Sequence, residues 1–244
     1  MIWRPLFILT LLLLPAGAGA QEVNIDLGEG GDFTGRVLQL IALMTVLSLA
    51  PAILVVVTSF TRIVIVLSLL RSALGVQTTP PNVVIISLAL FLTAFIMAPT
   101  FEAAWDRGIE PLLNGEIEER EAFDRASGPL RDFMLTHVRE KDLSLFLELG
   151  RINTDGLTPE QTPLQALVPA FMISELRRAF EIGFLLFIPF LVIDMVVASV
   201  LMSMGMMMLP PIIISLPFKL IFFVLVDGWN LVAVSLVRSF TGGG

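Results

Sequence analysis

The sequence predicts an all-α, membrane-associated protein: apolar helical hairpins joined to an exported-side amphipathic helical segment, built for oligomeric assembly. Three observations predict it. Hydrophobic residues make up 56% of the 244 and charged residues only 15%, where an ordinary soluble domain carries roughly a quarter charged. Long uncharged runs stand near both ends of the chain. Between them, residues 102–181 hold 16 acidic and 9 basic residues in a helical rhythm of apolar positions.

Composition also excludes chemistry. There is no cysteine, so no disulfide, thiolate nucleophile or thiolate metal site is available. A single histidine rules out a His-clustered metal centre. The net charge of −7 argues against a nucleic-acid partner. No cofactor, metal or enzymatic activity is expected.

The chain opens MIWRPLFILTLLLLPAGAGA. Arg4 supplies a positive n-region, Leu6 to Leu14 a short apolar core, and Ala18-Gly19-Ala20 a small-residue cleavage site. The core is short for a span, which takes about 20 residues. Cleavage is expected between Ala20 and Gln21, with the mature N-terminus exported. Residues 21–36 read as a flexible, acidic, Gly-rich lead.

Val37 to Thr61 carries no charge, and Pro51 is expected to kink or interrupt its helix. Arg62 and Arg71 then flank IVIVLSLL before Thr79-Pro80-Pro81-Asn82 breaks the chain. A second helix is expected near Val83–Ala98, so residues 37–101 form N-terminal apolar helices. The basic connection between them favours a cytoplasmic side.

Residues 102–183 form the amphipathic, exported-side segment. Leu130, Phe133, Met134 and His137 fall on one helical face; Leu143, Phe146, Leu147 and Gly150 fall on another. Gly128-Pro129 and Asn153-Thr154-Asp155-Gly156 read as breaks. His137 reads as a face residue of a packed helix. Phe133 and Phe146 are candidate packing or subunit contacts. Pro169 suits a first helical turn. Glu175–Arg178 and Arg177–Glu181 have helical pair spacing, and Glu175 and Arg178 are candidates for pairing across subunits.

Residues 184–244 contain two apolar blocks, Phe184–Leu209 and Ile212–Val237, with Pro210-Pro211 at the tip of a hairpin. Isolated ionisable groups stand out here. An Asp at a bilayer centre costs about 2.5–3.5 kcal/mol on insertion scales, so Asp194 is expected to face a cavity, an interior or a partner. At about 1.5 Å per residue from the tip, Lys219 lies about 12 Å away and Asp194 about 24 Å. The two are therefore expected at different depths and unpaired. Asp227 falls at the level of Asp194, so a cation from another chain or segment is expected there. Met206, Met207 and Met208 lie within about 3–6 Å of the tip. Methionine is flexible and apolar; three in a row either pack against lipid or a neighbouring helix, or close a pore.

PAFMISELRRAFEIGF followed by LVIDMVVASVLMSMGMMMLPP is similar to the FliP family, the flagellar biosynthetic proteins of the type III export gate. SFTRIVIVLSLLRSALGVQTTPPN and FMLTHVREKDLSLFLELGR resemble it too. The resemblance runs from about Val37 to Phe240. It implies a channel-forming core subunit in the bacterial inner membrane, within the flagellar basal body. It implies a pentamer assembled with FliQ and FliR subunits into a closed helical cone, much of it on the periplasmic side. Unfolded flagellar proteins pass outward through it, driven by an ATPase and the proton motive force acting elsewhere. The family's methionine gasket maps onto Met206, Met207 and Met208. The resemblance also implies that the apolar blocks do not all cross the bilayer. A virulence injectisome subunit is the alternative within this class, and the cleavable signal leans flagellar. A proton- or ion-coupled transporter using Asp194, Lys219 and Asp227 is the alternative from another class, though no inverted repeat is visible.

Overall fold

A computed structural model describes residues 32–76, 78–152, 158, 161–206 and 208–242. The expected signal peptide, with its Ala20–Gln21 cleavage site, lies outside the described residues, as do residues 21–31 of the lead, Met207 and the expected break at 153–156. The described residues are helical and contain no strand. The chain divides into two units at Ser48–Leu49. The first contributes only the N-terminal part of α1 (Asp32–Val57) to the described residues. Helix is thus established at Asp32, inside the stretch 21–36 expected as a flexible lead.

Helix α1 continues through Pro51; the break falls instead at Thr58-Ser59. Hydroxyl groups satisfy the backbone there. Thr61 Oγ1 donates to the Val55 carbonyl (3.1 Å), and the Phe60 N–H donates to Thr58 Oγ1 (3.4 Å). Such local bonds compete with the helical ladder and end it.

The second unit is organised around α2 (Phe60–Ala73). The Arg62-to-Arg71 stretch, expected as a basic connection, is the most enclosed helix of the fold. Ile63, Val66, Leu67 and Leu70 are fully buried or nearly so. A helix apolar on most sides has to be enclosed. Each such side chain contributes roughly 1.5–3 kcal/mol by leaving water. Against them pack Ile85, Ala89 and Ile96 of α3 (Asn82–Ala104), and Ala179 and Phe190 of α7 (Leu164–Ser203). Phe223 of α8 (Pro211–Leu225) and Val232 and Leu236 of α9 (Gly228–Thr241) complete this core. Gly183 lets α7 approach α2: a Cβ there would collide with Leu69.

Beyond α3, a π-helical turn (Trp105–Ile109) leads into the short α4 (Glu110–Leu113). Helices α5 (Glu119–His137) and α6 (Glu140–Leu149) form the amphipathic segment. Gly128-Pro129 does not break α5, which is packed on α3, the π-helical turn and α7; tertiary packing overrides the local propensity. Met134, Leu167 and Phe171 make a second small core with Leu130, Phe133 and Leu143 packed on it. Helix α7 begins at Leu164, after Pro163, so Pro169 lies in its second turn.

Among the described residues, two stretches are long and apolar enough to cross a membrane: Asn82–Leu113 and Leu164–Ser203. A third is available if α8 and α9, bent by 62°, count as one. Large apolar side chains stand exposed along them, including Phe91, Phe95, Phe184 and Leu185. Apolar surface on this scale marks a face for lipid or for other subunits.

Candidate functional site

The hairpin tip is built from residues that cannot continue a helix. Helix α7 stops at Ser203, Gly205 takes φ +74°, and Pro210 starts the return. Glycine adopts that left-handed geometry without steric cost. The result is a short turn that holds Met206 and Met208 at 42% and 98% exposure. Met202 and Met204 are exposed on its approach.

Below the tip lies a charged cluster that differs from expectation. Lys219 Nζ donates to Asp194 Oδ2 (2.7 Å) and to the Ala73 carbonyl (3.1 Å). The Ser215 hydroxyl donates to Asp194 Oδ1 (2.5 Å). Asp194 and Lys219 were expected at different depths, but α7 ends at Ser203, well before the prolines, and that end sets the depth of Asp194. Asp194 is nine residues before the end of α7 and Lys219 eight after the start of α8, about 13.5 and about 12 Å. The cation that meets Asp194 therefore comes from the same hairpin. Ala73 is the last residue of α2, where the helix dipole favours a cation. This cluster opens on a cleft of about 540 Å³ that Arg71 and Ser72 also line.

Asp227 does not sit with Asp194. It is exposed, with φ +51°, at the bend between α8 and α9. The returning arm breaks there instead of running straight for 26 residues, so Asp227 marks a turn.

Glu175 also departs from expectation. It is fully buried and forms a two-pronged ion pair with Arg62 (2.8 and 2.5 Å). Arg62 Nη1 donates to Ser239 as well (3.0 Å), and its guanidinium lies 3.7 Å over the Phe240 ring. The pair thus ties α2, α7 and α9 together inside one chain. It corrects the reading of Glu175 as a partner for Arg178 or a neighbouring subunit. Arg178 is exposed. The Arg177–Glu181 pair forms on the surface at 2.9 Å.

Phe133 stacks on Phe240 at 6.0 Å, and His137 packs against both, with Nδ1 2.7 Å from the Phe133 carbonyl. Phe146 is half-buried on α6. Where α6 meets α7, the Ser174 hydroxyl donates to Asp142 Oδ2 (2.6 Å) and accepts the Arg139 N–H (3.1 Å). Arg139 adds a two-pronged pair to Asp142. Burial pushes the Asp142 carboxyl up, but the bonds from Ser174 and Arg139 and the Arg139 and Arg177 charges outweigh it, so it titrates below its ordinary range. Sequence reasoning missed Arg62, Ser215 and this Asp142 cluster. Arg62, alone in an apolar run, carried the same signal as Asp194.

Taken together, these features define a class: an all-helical, membrane-associated protein with neutralised internal charges and a sulfur-rich, exposed hairpin tip. The FliP family model matches residues 43–236. Proteins named flagellar biosynthetic protein FliP are similar over nearly the whole chain. The one from Caulobacter vibrioides is 66% identical over 95% of this chain and 87% of its own. That of Rhizobium meliloti is 52% identical over 96% and 97%, and that of Bacillus subtilis 53% over 90% and 99%. The chain belongs to the FliP family, and so to flagellar biosynthesis.

Proposed function

We propose that this chain is a channel-forming subunit of the flagellar type III export gate in the bacterial inner membrane, and that Met206, Met207 and Met208 form its deformable seal. The observation that carries the reading is the exposure of Met206 and Met208 on a turn opened by Gly205. Several copies of such a tip, brought around one axis, would present flexible thioether side chains to a common lumen. Unbranched methionine fills irregular gaps, so a ring of them excludes water and ions and still yields to a passing chain of variable shape.

The remaining parts fit that role. A pentamer with FliQ and FliR subunits would cover the exposed apolar faces of α3 and α7. Residues 102–183 would stand on the exported side, after removal of a signal peptide at 1–20. Unfolded flagellar proteins are the proposed cargo. Phe146 and Arg178, neither of them buried, remain candidates for contacts between subunits. Replacing Met206, Met207 and Met208 together by Ala tests the seal. The complex should still assemble, and the membrane should leak small ions. An assembled variant with unchanged permeability would remove the assignment.

A further inference from the structure

His137 is the one histidine of the chain, and it stands at two helix C-termini at once. It is the last residue of α5, and its ring packs on Phe240 at the end of α9, with 5.1 Å between centroids. A helix ends in carbonyls that have no intrahelical partner. At the end of α9, two of them meet side chains from elsewhere in the fold. Arg62 Nη1 of α2 donates to the Ser239 carbonyl (3.2 Å). His137 Nε2 lies 3.4 Å from the Phe240 carbonyl, while Nδ1 lies 2.7 Å from the Phe133 carbonyl. Both ring nitrogens therefore face oxygens that only accept. A neutral imidazole carries one N–H, so either tautomer leaves a lone pair turned on a carbonyl oxygen. The imidazolium carries two and donates to both.

We propose that His137 is a proton-operated clasp, which holds the end of α9 on the amphipathic segment in acid and releases it as the ring loses its proton. The dipoles of α5 and α9 both favour the cation. Charged groups reach this corner from each neighbouring element. Helix α2 brings Arg62, over the same Phe240 ring, and α7 brings Glu175, which pairs with Arg62 and whose charge interacts with that of His137. Arg178 of α7 and Arg238 of α9 are exposed. Arg139 and Asp142, beside α6, are bound to each other. The last turn of α5 carries no other charge. The Arg62 charge is thus matched, and the two carbonyls set the response of the ring. Arg62 stays charged at every working pH, whereas histidine ordinarily changes charge between pH 5 and 8. The end of α9 has one permanent tie and one that follows the proton. All these contacts lie within one chain, so the clasp does not depend on the seal proposed above. Only the side of the membrane whose pH it reads rests on the exported placement of residues 102–183.

The test uses the assembled complex of the full chain, with the proton as the probe. Deuterium exchange at the imidazole C2–H, read by peptide mass spectrometry, titrates His137. Amide exchange in the peptide that ends α9, corrected for the intrinsic effect of pH, reports closure. Protection there should rise about two- to fivefold from pH 8 to pH 5, the scale of one charge at a helix C-terminus. The rise should coincide with the His137 titration. His137→Gln, which does not titrate, should remove it. Ser239→Ala, which deletes a hydroxyl bond from Arg62 (3.0 Å), should lower protection at every pH and keep the rise. Protection that stays flat across the native titration, or rises equally in the glutamine variant, would overturn the clasp. Loss of the rise in Ser239→Ala would assign it to Arg62 and overturn the clasp too. If the glutamine variant does not assemble, the two native curves decide, and a rise displaced from the His137 titration excludes the proposal.

Discussion

Arg62 and Glu175 show how far a single pair reaches. Both are at most 2% exposed, so removing one partner leaves an uncompensated charge in the interior. Arg62→Ala or Glu175→Ala should therefore cost about 3–5 kcal/mol, read as a large drop in thermal or denaturant midpoint in detergent. Replacing both by apolar residues of similar volume should recover most of that loss. Asp142 carries the pH dependence. Its folded carboxyl titrates below its ordinary value, so the unfolded chain binds the proton more readily. The cluster's stability is then fully present above about pH 4, the ordinary carboxylate range, and is lost as pH falls through the lower folded value. Asp142→Asn should be less stable than the native chain at neutral pH, with the difference closing in acid. Unfolding curves from pH 7 to pH 3 would show a gap that narrows; a gap that widens in acid would contradict the assignment.

At the scale of elements, the helices were legible and their ends were not. Uncharged runs mark where apolar helix is possible, and periodicity marked one face each of α5 and α6, on which the structure buries Met134 and Leu147 and leaves Gly150 exposed. Breaks depend on tertiary satisfaction of the backbone, which spacing does not reveal. Hence Pro51 and Pro129 sit inside helices, and Thr58-Ser59 and Asp227 interrupt them. Counting from Pro210 treats residues 204–210 as helix, which displaces Asp194 by about two turns and hides its pairing with Lys219. The bend at Asp227 carries its own expectation. Left-handed geometry costs most residues roughly 1–2 kcal/mol, while glycine and aspartate tolerate it. Asp227→Gly should preserve the fold, and Asp227→Val should lower stability by about that amount, measured by thermal unfolding. If valine is neutral there, the left-handed bend is not a fixed feature of the chain.

At the scale of the whole molecule, two exposed surfaces among the described residues bear on assembly: the apolar faces of α3 and α7, and the sulfur-rich tip. The first was legible as excess hydrophobicity. The second was legible as five methionines in seven residues, although sequence left open whether they pack against lipid or close a pore. Assembly resolves both in one step on the proposed account, since copies that cover each other's apolar faces also bring their tips together. Imaging the intact multimer at side-chain resolution tests this most directly. The account predicts the sulfurs of Met206, Met207 and Met208 converging on a central axis and narrowing the lumen to less than the width of a water molecule. Those sulfurs directed into lipid, away from any axis, would contradict it.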